Sequence, residues 1–184
     1  MQKSVVVPLL LVLLLSAGCA APREEREFSE FRQRLAAAEA FSFDTAVTSR
    51  HGEFVSSCAM RVTCRDGEVR AEVTAPENIA GVVCRSSGSG GTLEYDGLIL
   101  ELTPGDPEAL PPCEAGRLFS DALRTGRFLC GGRADGYLTA ALETDGGETV
   151  TLWRTAENVP VYAEIGRGGA AELTMTIENW TIGE

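Results

Sequence analysis

Hydrophobic residues follow two different periods along the chain. In the stretch 23–40 they recur at spacings of three and four among charged residues, at Phe28, Phe31, Leu35 and Ala38. This period predicts an amphipathic helix with an aromatic stripe along one side. From Phe41 onward apolar and polar residues alternate, as they do in β-strands that bury one face.

The alternating part predicts ten or eleven antiparallel strands, because turn residues interrupt it at short intervals. Asp66-Gly67 and Asp96-Gly97 are typical of two-residue hairpin turns. The proline-rich stretch 103–116 cannot be a regular strand, and residues 118–127 after it predict a short amphipathic helix. Four closing strands are expected over 137–143, 148–154, 159–166 and 172–181. The predicted fold class is therefore mainly β (α+β), with an N-terminal helix and a second short helix.

One face of the predicted sheet has to be covered, and the inward strand positions supply apolar residues for it. The candidates for this ligand-facing side are Met60, Val62, Val73, Leu98, Leu100, Leu142, Leu152, Ile165, Met175 and Ile177. These residues either line a cavity that holds an apolar ligand or form a core that the helices fill. Both alternatives require the same residue types, so periodicity leaves them open.

Both tryptophans fall on the other side of their strands if alternation is strict. Trp153 lies opposite Leu152, and Trp180 lies opposite Ile177. We expect both rings to pack beneath the aromatic stripe of the first helix. An exposed protein-binding patch is the alternative.

The N-terminus has the composition of an export signal. Lys3 precedes an apolar run from Val5 to Leu15, interrupted only by Pro8. This run is too short to span a hydrocarbon core of about 30 Å, so it predicts a signal peptide rather than a transmembrane helix.

The residues that end this run resemble the lipobox of bacterial lipoproteins. They are Leu15-Ser16-Ala17-Gly18-Cys19. The resemblance implies that Cys19 receives a diacylglyceryl group and becomes the first residue after cleavage. Two acyl chains anchor a protein stably. We therefore predict a signal peptide over 1–18, a lipid anchor and tether over 19–22, and a domain over 23–184 at the extracytoplasmic face of the cell membrane.

The chain is acidic, with 16 Lys+Arg against 27 Asp+Glu and a formal net charge of −11. Lys3 is the only lysine, so the chain without residues 1–18 keeps 15 arginines against the same 27 acids, a net charge of −12. Such a surface repels phosphate backbones and anionic lipid headgroups. Nucleic acid is therefore not expected as a partner, and the membrane is expected to hold the protein through Cys19.

Residues typical of enzymes and metal sites are sparse. The single histidine, His51, falls at a predicted hairpin tip without a neighbouring acid, serine or cysteine, which argues against a His-based triad. The sequence has no Gly-x-Ser-x-Gly elbow, P-loop, dinucleotide fingerprint or Cys-x-x-Cys pair. We therefore predict neither enzymatic activity nor a metal or cofactor.

Five cysteines remain after Cys19, and their spacing limits how they pair. Cys58 and Cys64 are six residues apart on one predicted strand, about 20 Å, which is too far for a disulfide. Cys113 and Cys130 bracket the second helix and are the candidate disulfide, and Cys84 could meet Cys58 or Cys64 across the sheet. The alternative is five small buried thiols.

The order of these elements resembles a known fold of bacterial lipoproteins. The resemblance rests on VTAPENIAGVV and TLEYDGLILEL in the middle of the chain, and on VTLWRTAENVPVYAEI and LTMTIENW near its end. These stretches are similar to the LolA/LolB lipoprotein-localisation fold, which LppX- and LprG-type lipoproteins share. The resemblance implies a half-open, curved antiparallel β-barrel with a lid helix and an apolar concave face that binds acyl chains. It transfers no particular binding residue.

Two functions fit these observations. The first is a membrane-anchored lipoprotein that binds or presents a lipid, or the acyl chain of another lipoprotein, on the concave face. The second is a protein-interaction or sensor module of the cell envelope with a filled barrel and no lipid ligand. The first requires a continuous apolar cavity, and the second requires an exposed patch on a solid body.

Overall fold

The computed structural model of the chain describes residues 22–87, 90–102 and 110–183. The two helices are α1 (Arg23–Ala37) and α2 (Glu114–Arg124), and a 3-10 turn covers Glu77–Ile79. The strands are β1 (Ala40–His51), β2 (Phe54–Arg65), β3 (Glu68–Ala75), β4 (Val83–Ser87), β5 (Gly90–Tyr95), β6 (Leu98–Leu102), β7 (Arg127–Ala134), β8 (Tyr137–Glu143), β9 (Thr149–Arg154), β10 (Pro160–Arg167) and β11 (Ala170–Gly183).

These strands form one antiparallel sheet in the order β6-β5-β4-β3-β2-β1-β11-β10-β9-β8-β7. Two meanders build it, because β1 to β6 and β7 to β11 each run through neighbouring strands. The pairing of β1 with β11 joins the two meanders. The sheet is open and curved, so β6 and β7 are its two edges. The predicted fold class, mainly β with two helices, is confirmed.

Asp-Gly turns set the register of three hairpins. Asp66-Gly67 and Asp96-Gly97 form turns as predicted, and Asp135-Gly136 joins β7 to β8. The dihedral angle φ is positive at both residues of each turn. This geometry matches the right-handed twist of the flanking strands. The local sequence therefore determines which residues of these hairpins face inward.

The end of α2 and the start of β7 differ from the prediction. The helix begins at Glu114 and ends at Arg124, whereas the apolar spacing predicted residues 118–127. The backbone N–H of Gly126 donates to the carbonyls of Asp121 and Ala122, which closes the last helical turn. The chain is then extended from Arg127, and β7 occupies residues for which no strand was predicted.

Both helices lie on the concave face of the sheet, and the core is formed between them and the strands. Helix α1 packs against β7 and α2, and α2 packs against β3 and against β8 to β10. Neither helix is long and apolar enough to cross a membrane. The predicted signal peptide and the lipidation residue Cys19 lie outside the described residues.

Candidate functional site

The concave face beneath the helices is packed with side chains. Eight of the ten residues predicted for this face are 0 to 5% exposed: Met60, Val62, Val73, Leu142, Leu152, Ile165, Met175 and Ile177. Cross-strand register explains their convergence, since Val47, Met175, Ala163, Leu152 and Ala140 are successive partners across five strands. This part of the predicted face is therefore a filled core.

Leu98 and Leu100, the other two residues predicted for this face, are not covered by the helices. Leu100 lies on the concave side, because it pairs with Leu93, which pairs in turn with the buried Cys84 of β4. Both leucines are nevertheless exposed, by 70% and 61%. The helices pack over β3 and over β7 to β10 rather than over the two outermost strands. The alternation of apolar and polar residues determines which side of the sheet a residue faces. It does not determine how far the helices extend across that side.

Two further clefts that described residues line are small or polar. One cleft of about 160 Å³ lies beside Thr45 and Met60. Another, of about 450 Å³, lies beside Arg85, Thr92 and Glu101 and is lined largely by polar and glycine residues. Ligand pockets are typically about 300–1,000 Å³ and predominantly apolar. Neither cleft combines the size and the apolar lining that an acyl chain requires.

Helix α2 fills the barrel because a glycine lets it approach the sheet. A Cβ built on Gly116 would lie 3.1 Å from Val62 Cγ2. One turn later, the Ser120 hydroxyl donates to the Gly116 carbonyl and lies 2.9 Å from the Cys64 sulfur. Because the Ser120 hydroxyl donates its only proton to the Gly116 carbonyl, the Cys64 thiol donates to the Ser120 oxygen. Burial raises the pKa of Cys64 to about 11, so this cysteine remains a neutral packing group.

Helix α1 covers an arginine that is buried in the core. Arg154 of β9 is 2% exposed, and its guanidinium lies 5.3 Å and 5.2 Å from the ring centroids of Phe28 and Phe31. Its Nη1 donates to the Asn158 side chain, and its Nε has no partner among the described residues. Burial lowers the pKa of Arg154 to about 10, while the charge of Glu27 opposes that change. The aromatic stripe of α1 therefore compensates a buried cation through cation–π contacts.

A second arginine joins the two helices. Arg32 of α1 donates from Nε to the Leu123 carbonyl at 2.9 Å and from Nη2 to the Ala122 and Gly126 carbonyls. These carbonyls are at the C-terminal end of α2, where helical hydrogen bonding ends and a positive charge is favoured. Arg32 therefore fixes α1 and α2 as one cover over the sheet.

The two tryptophans take different positions from those predicted. Trp180 stacks on Phe43 at 5.6 Å and meets the edge of Phe119 at 6.5 Å, so it is partly buried against the core. Asn179 has a positive φ where the pairing of β1 with β11 is irregular, and this extra residue turns Trp180 to the face of Ile177. Trp153 does lie on the other face, but it contacts Tyr162 rather than helix α1.

Strand β6 presents the most concentrated exposed apolar surface of the described sheet. Leu98, Ile99 and Leu100 are consecutive and 70%, 66% and 61% exposed, so apolar groups project on both sides of the strand. β5 is the only described neighbour of β6, which leaves one row of backbone groups on β6 without a described strand partner. The sequence contains a signal for this site, since three successive apolar residues depart from alternation.

The cysteines do not pair as predicted. All five described thiols are free, with Cys130 exposed on β7 and Cys113 directly before α2. Cys113 lies in one cleft with Cys84 of β4, where the two thiols interact electrostatically. The candidate disulfide between Cys113 and Cys130 is therefore wrong. Cys113 lies beside β4, whereas Cys130 lies on β7, the edge strand at the other end of the sheet.

The described residues do not assemble a metal site. His51 is exposed at the tip of the β1–β2 hairpin. No group of three or more His, Cys, Asp or Glu side chains within residues 22–87, 90–102 and 110–183 is placed to hold a metal ion. The candidate site is the exposed surface of β6, and we define the docking edge as Leu98, Ile99 and Leu100 together with the outer backbone of β6.

Comparisons with known proteins show similarity at the level of fold. No protein-family model matches the chain, and no curated protein sequence matches it. A LolA superfamily protein from Nitrosomonas europaea is 11% identical with a TM-score of 0.46, and the match covers 85% of this chain and 93% of that one. A putative outer membrane lipoprotein-sorting protein domain from Vibrio parahaemolyticus is 10% identical with a TM-score of 0.49, over 87% and 93% of the two chains.

The lipoprotein LppX from Mycobacterium tuberculosis is 17% identical with a TM-score of 0.38, and the match covers 88% of this chain and 96% of that one. The chain is thus similar to LolA superfamily proteins and to LppX, as the sequence predicted. At these identities and TM-scores, the similarity does not indicate which ligand or partner the chain binds.

Proposed function

We propose that this chain is a lipid-anchored protein of the bacterial envelope that binds a basic protein partner, which adds a strand to the docking edge. The observation that carries the proposal is the exposure of Leu98, Ile99 and Leu100 on an edge strand next to a filled core. Strand addition uses backbone hydrogen bonds for affinity and alternate side chains for specificity. A strand added to β6 would cover apolar side chains on both faces of β6.

The predicted anchor supports this choice of edge. Cys19 is four residues before Arg23, the first residue of α1, so a lipid on Cys19 would lie within about 14 Å of the helix. The beginning of α1 packs on β7, since a Cβ on Gly131 would lie 2.9 Å from Glu24 Cβ. The anchor therefore holds the β7 end of the sheet near the membrane. The docking edge is at the other end of the sheet, where an envelope protein can reach it.

Charge selects the kind of partner. Without residues 1–18 the chain carries a net charge of −12, and Glu94 and Glu101 lie on the two outermost strands. Two copies of such a chain repel each other, whereas a basic protein is attracted. The occupant we propose is therefore a basic envelope protein with an accessible strand, not a second copy of this chain.

Photo-crosslinking of the full-length protein in intact cells tests the proposal. A photoreactive phenylalanine analogue replaces Leu100 on β6 and, as the matched control, Leu129 on β7, which is also exposed. We expect a protein adduct of one defined mass from position 100 and none of that mass from position 129. Adducts to lipid alone, or the same protein adduct from both positions, would contradict docking at β6.

Lipid binding is the second candidate function, and one observation favours it. Leu98 and Leu100 lie on the concave side and extend the apolar surface from the core to the edge of the sheet. An acyl chain lying there would bury both leucines. Native mass spectrometry of the full-length protein, with organic extraction, tests this function. A stoichiometric lipid that Leu100→Trp displaces would support it, and a lipid-free protein that takes up no added fatty acid would exclude it.

A further inference from the structure

Three cysteines that are distant in the sequence lie near the start of α2. Cys84 is on β4, Cys113 directly precedes the helix, and Cys58 is on β2. Cys84 is buried in the core, and Cys58 and Cys113 pack against it while remaining partly exposed.

The packing of α2 places Cys113 over Cys84. Gly116 of the first helical turn contacts Ala71 of β3, since a Cβ on the glycine would lie 3.7 Å from Ala71 Cβ. Ala71 is the direct cross-strand partner of Cys84. Cys113 precedes Gly116 by three residues, which is close to one helical turn. Because Gly116 lies over β3, the Cys113 side chain lies over the neighbouring strand, β4. Cys84 and Cys113 accordingly line one cleft, together with Glu114 and Arg117.

We infer that Cys84 and Cys113 form a disulfide in the exported protein. The inference rests on the export part of the proposed function, because disulfides persist in oxidising compartments outside the cytoplasm. Cys58 and Cys130 remain free thiols. Cys130 is on the far edge strand, and Cys58 is four residues along β2 from Val62, which is in register with Ala71 and Cys84.

The reaction is thiol–disulfide exchange with an external disulfide, either that of an oxidoreductase or that of an oxidised low-molecular-weight thiol. Contact with the Cys84 thiol lowers the pKa of Cys113, which is the more accessible sulfur and the attacking thiolate. Its attack breaks the external S–S bond, forms a mixed disulfide and releases one thiolate. Cys84, after losing its proton, attacks the Cys113 sulfur and releases the second. The protein loses two electrons and two protons, and the external disulfide becomes two thiols.

The bond would close a loop that contains the docking edge. Residues 85–112 lie between the two cysteines, and this segment includes β5 and β6. Closing a loop of this length stabilises a protein chiefly by restricting its unfolded state. The disulfide would therefore hold the two outermost strands to the start of α2, in a part of the sheet that the helices do not cover.

Peptide mapping without reduction tests the inference on the full-length protein. Membranes are isolated with free thiols alkylated, and trypsin then cleaves after Arg85, so the bond would join peptides 71–85 and 86–117. A parallel sample, reduced in detergent and then treated with oxidised glutathione, tests the geometry independently of export. We expect the same linked pair in both samples.

Each other outcome overturns a stated part of the inference. A bond from Cys113 to Cys58 or Cys130 after glutathione treatment, or no bond, would overturn the geometry. A bond formed only in the glutathione sample would overturn the disulfide in the exported protein. Protease digestion of intact cells then separates the two failures, because a protein protected from external protease would also contradict the envelope location.

Thermal unfolding provides an independent measurement. We expect Cys84→Ser or added reductant to lower the unfolding midpoint of the oxidised protein by about 5 to 10 °C. The reductant should have no further effect on Cys84→Ser. Cys130→Ser is the matched control and should leave the midpoint unchanged. Equal midpoints for oxidised and reduced wild-type protein would contradict a stabilising bond.

Discussion

The two edges of the sheet are built differently. At β7, residues Arg127 and Arg133 are exposed, a register shift interrupts pairing between Phe128 and Cys130, and α1 lies against Gly131. Charges, irregular pairing and a covering helix are the means by which proteins protect an edge strand from pairing with other chains. At β6, three consecutive apolar residues are exposed and the pairing with β5 is regular.

An exposed apolar edge is an aggregation hazard unless something covers it, and this difference is the basis for the partner proposed at β6. Helix α1 packs against β7, whereas Leu98, Ile99 and Leu100 on β6 remain exposed. Under the proposed function, β6 would be the end of the sheet that a partner reaches.

Truncation of matched leucines should give the largest contrast. Leu142 and Leu100 were both predicted for the concave face, but only Leu142 is buried. We expect Leu142→Ala to lower the free energy of unfolding by about 2–5 kcal/mol. Leu100→Ala should change it by no more than about 0.5 kcal/mol. Urea denaturation measures both values, and similar losses would indicate that β6 is covered in solution.

Charge on the docking edge should abolish partner binding without affecting the fold. The double change Leu98→Lys and Leu100→Lys places positive charge where a basic partner docks. We expect at least about a tenfold loss of the protein adduct formed from a photoreactive group at Ile99, as for a central contact residue. Leu129→Lys on β7 is the matched control. An equal loss from both variants would show that the two edges do not differ in function.

Removal of the Arg32 side chain tests whether α1 and α2 form one cover. Arg32→Ala removes the guanidinium donors to the Leu123 and Gly126 carbonyls at the end of α2. We expect a loss of about 1–3 kcal/mol in unfolding free energy, together with faster amide exchange in α1. Arg26→Ala, at an exposed position on the same helix, should have little effect. Unchanged exchange in the Arg32 variant would mean that sheet contacts alone hold α1.

Lowering the pH should produce the smallest of these changes in stability, through the carboxyl group of Glu148. Burial opposes ionisation of Glu148, but hydrogen bonds from Thr144 and Arg167 outweigh it and hold the pKa of Glu148 below its ordinary value of 4.5. Because the folded-state pKa is the lower one, the stabilisation is present above pH 4.5 and is lost as the pH falls through the folded pKa.

We expect this contribution to be about 1 kcal/mol or less, since Arg167 is partly exposed and solvent screens the pair. In Glu148→Gln this part of the acid dependence should be missing. Denaturation of both proteins between pH 3 and pH 7, an interval of about four units around the ordinary carboxyl pKa, measures the difference. Parallel pH curves would contradict the assignment.

Local signals in the sequence were sufficient to predict most of the fold. Asp66-Gly67 and Asp96-Gly97 form the predicted turns, and the spacing of Phe28, Phe31 and Leu35 gives the buried side of α1. β7 was not predicted because paired glycines and a short apolar run make its alternation weak. The signal that could have located it is Asp135-Gly136, an Asp-Gly turn of the same kind as the others.

The candidate site was less predictable, because it depends on contacts between distant residues. Alternation placed Leu98 and Leu100 on the concave side but could not show where the helices stop covering the sheet. A single extra residue at Asn179 turns Trp180 to the side of the core, where it packs partly buried. The contact between Cys84 and Cys113 depends on the close approach of Gly116, which sequence spacing does not reveal.

Hydrogen–deuterium exchange on the crosslinked complex tests the central claim most directly. Backbone amides of residues 98–102 and 127–134 are compared between the complex, linked through Leu100, and the purified full-length protein without a partner. A strand added to β6 would protect amides of residues 98–102 and leave those of residues 127–134 unchanged. Protection at β7, or no protection at β6, would contradict docking at the β6 edge.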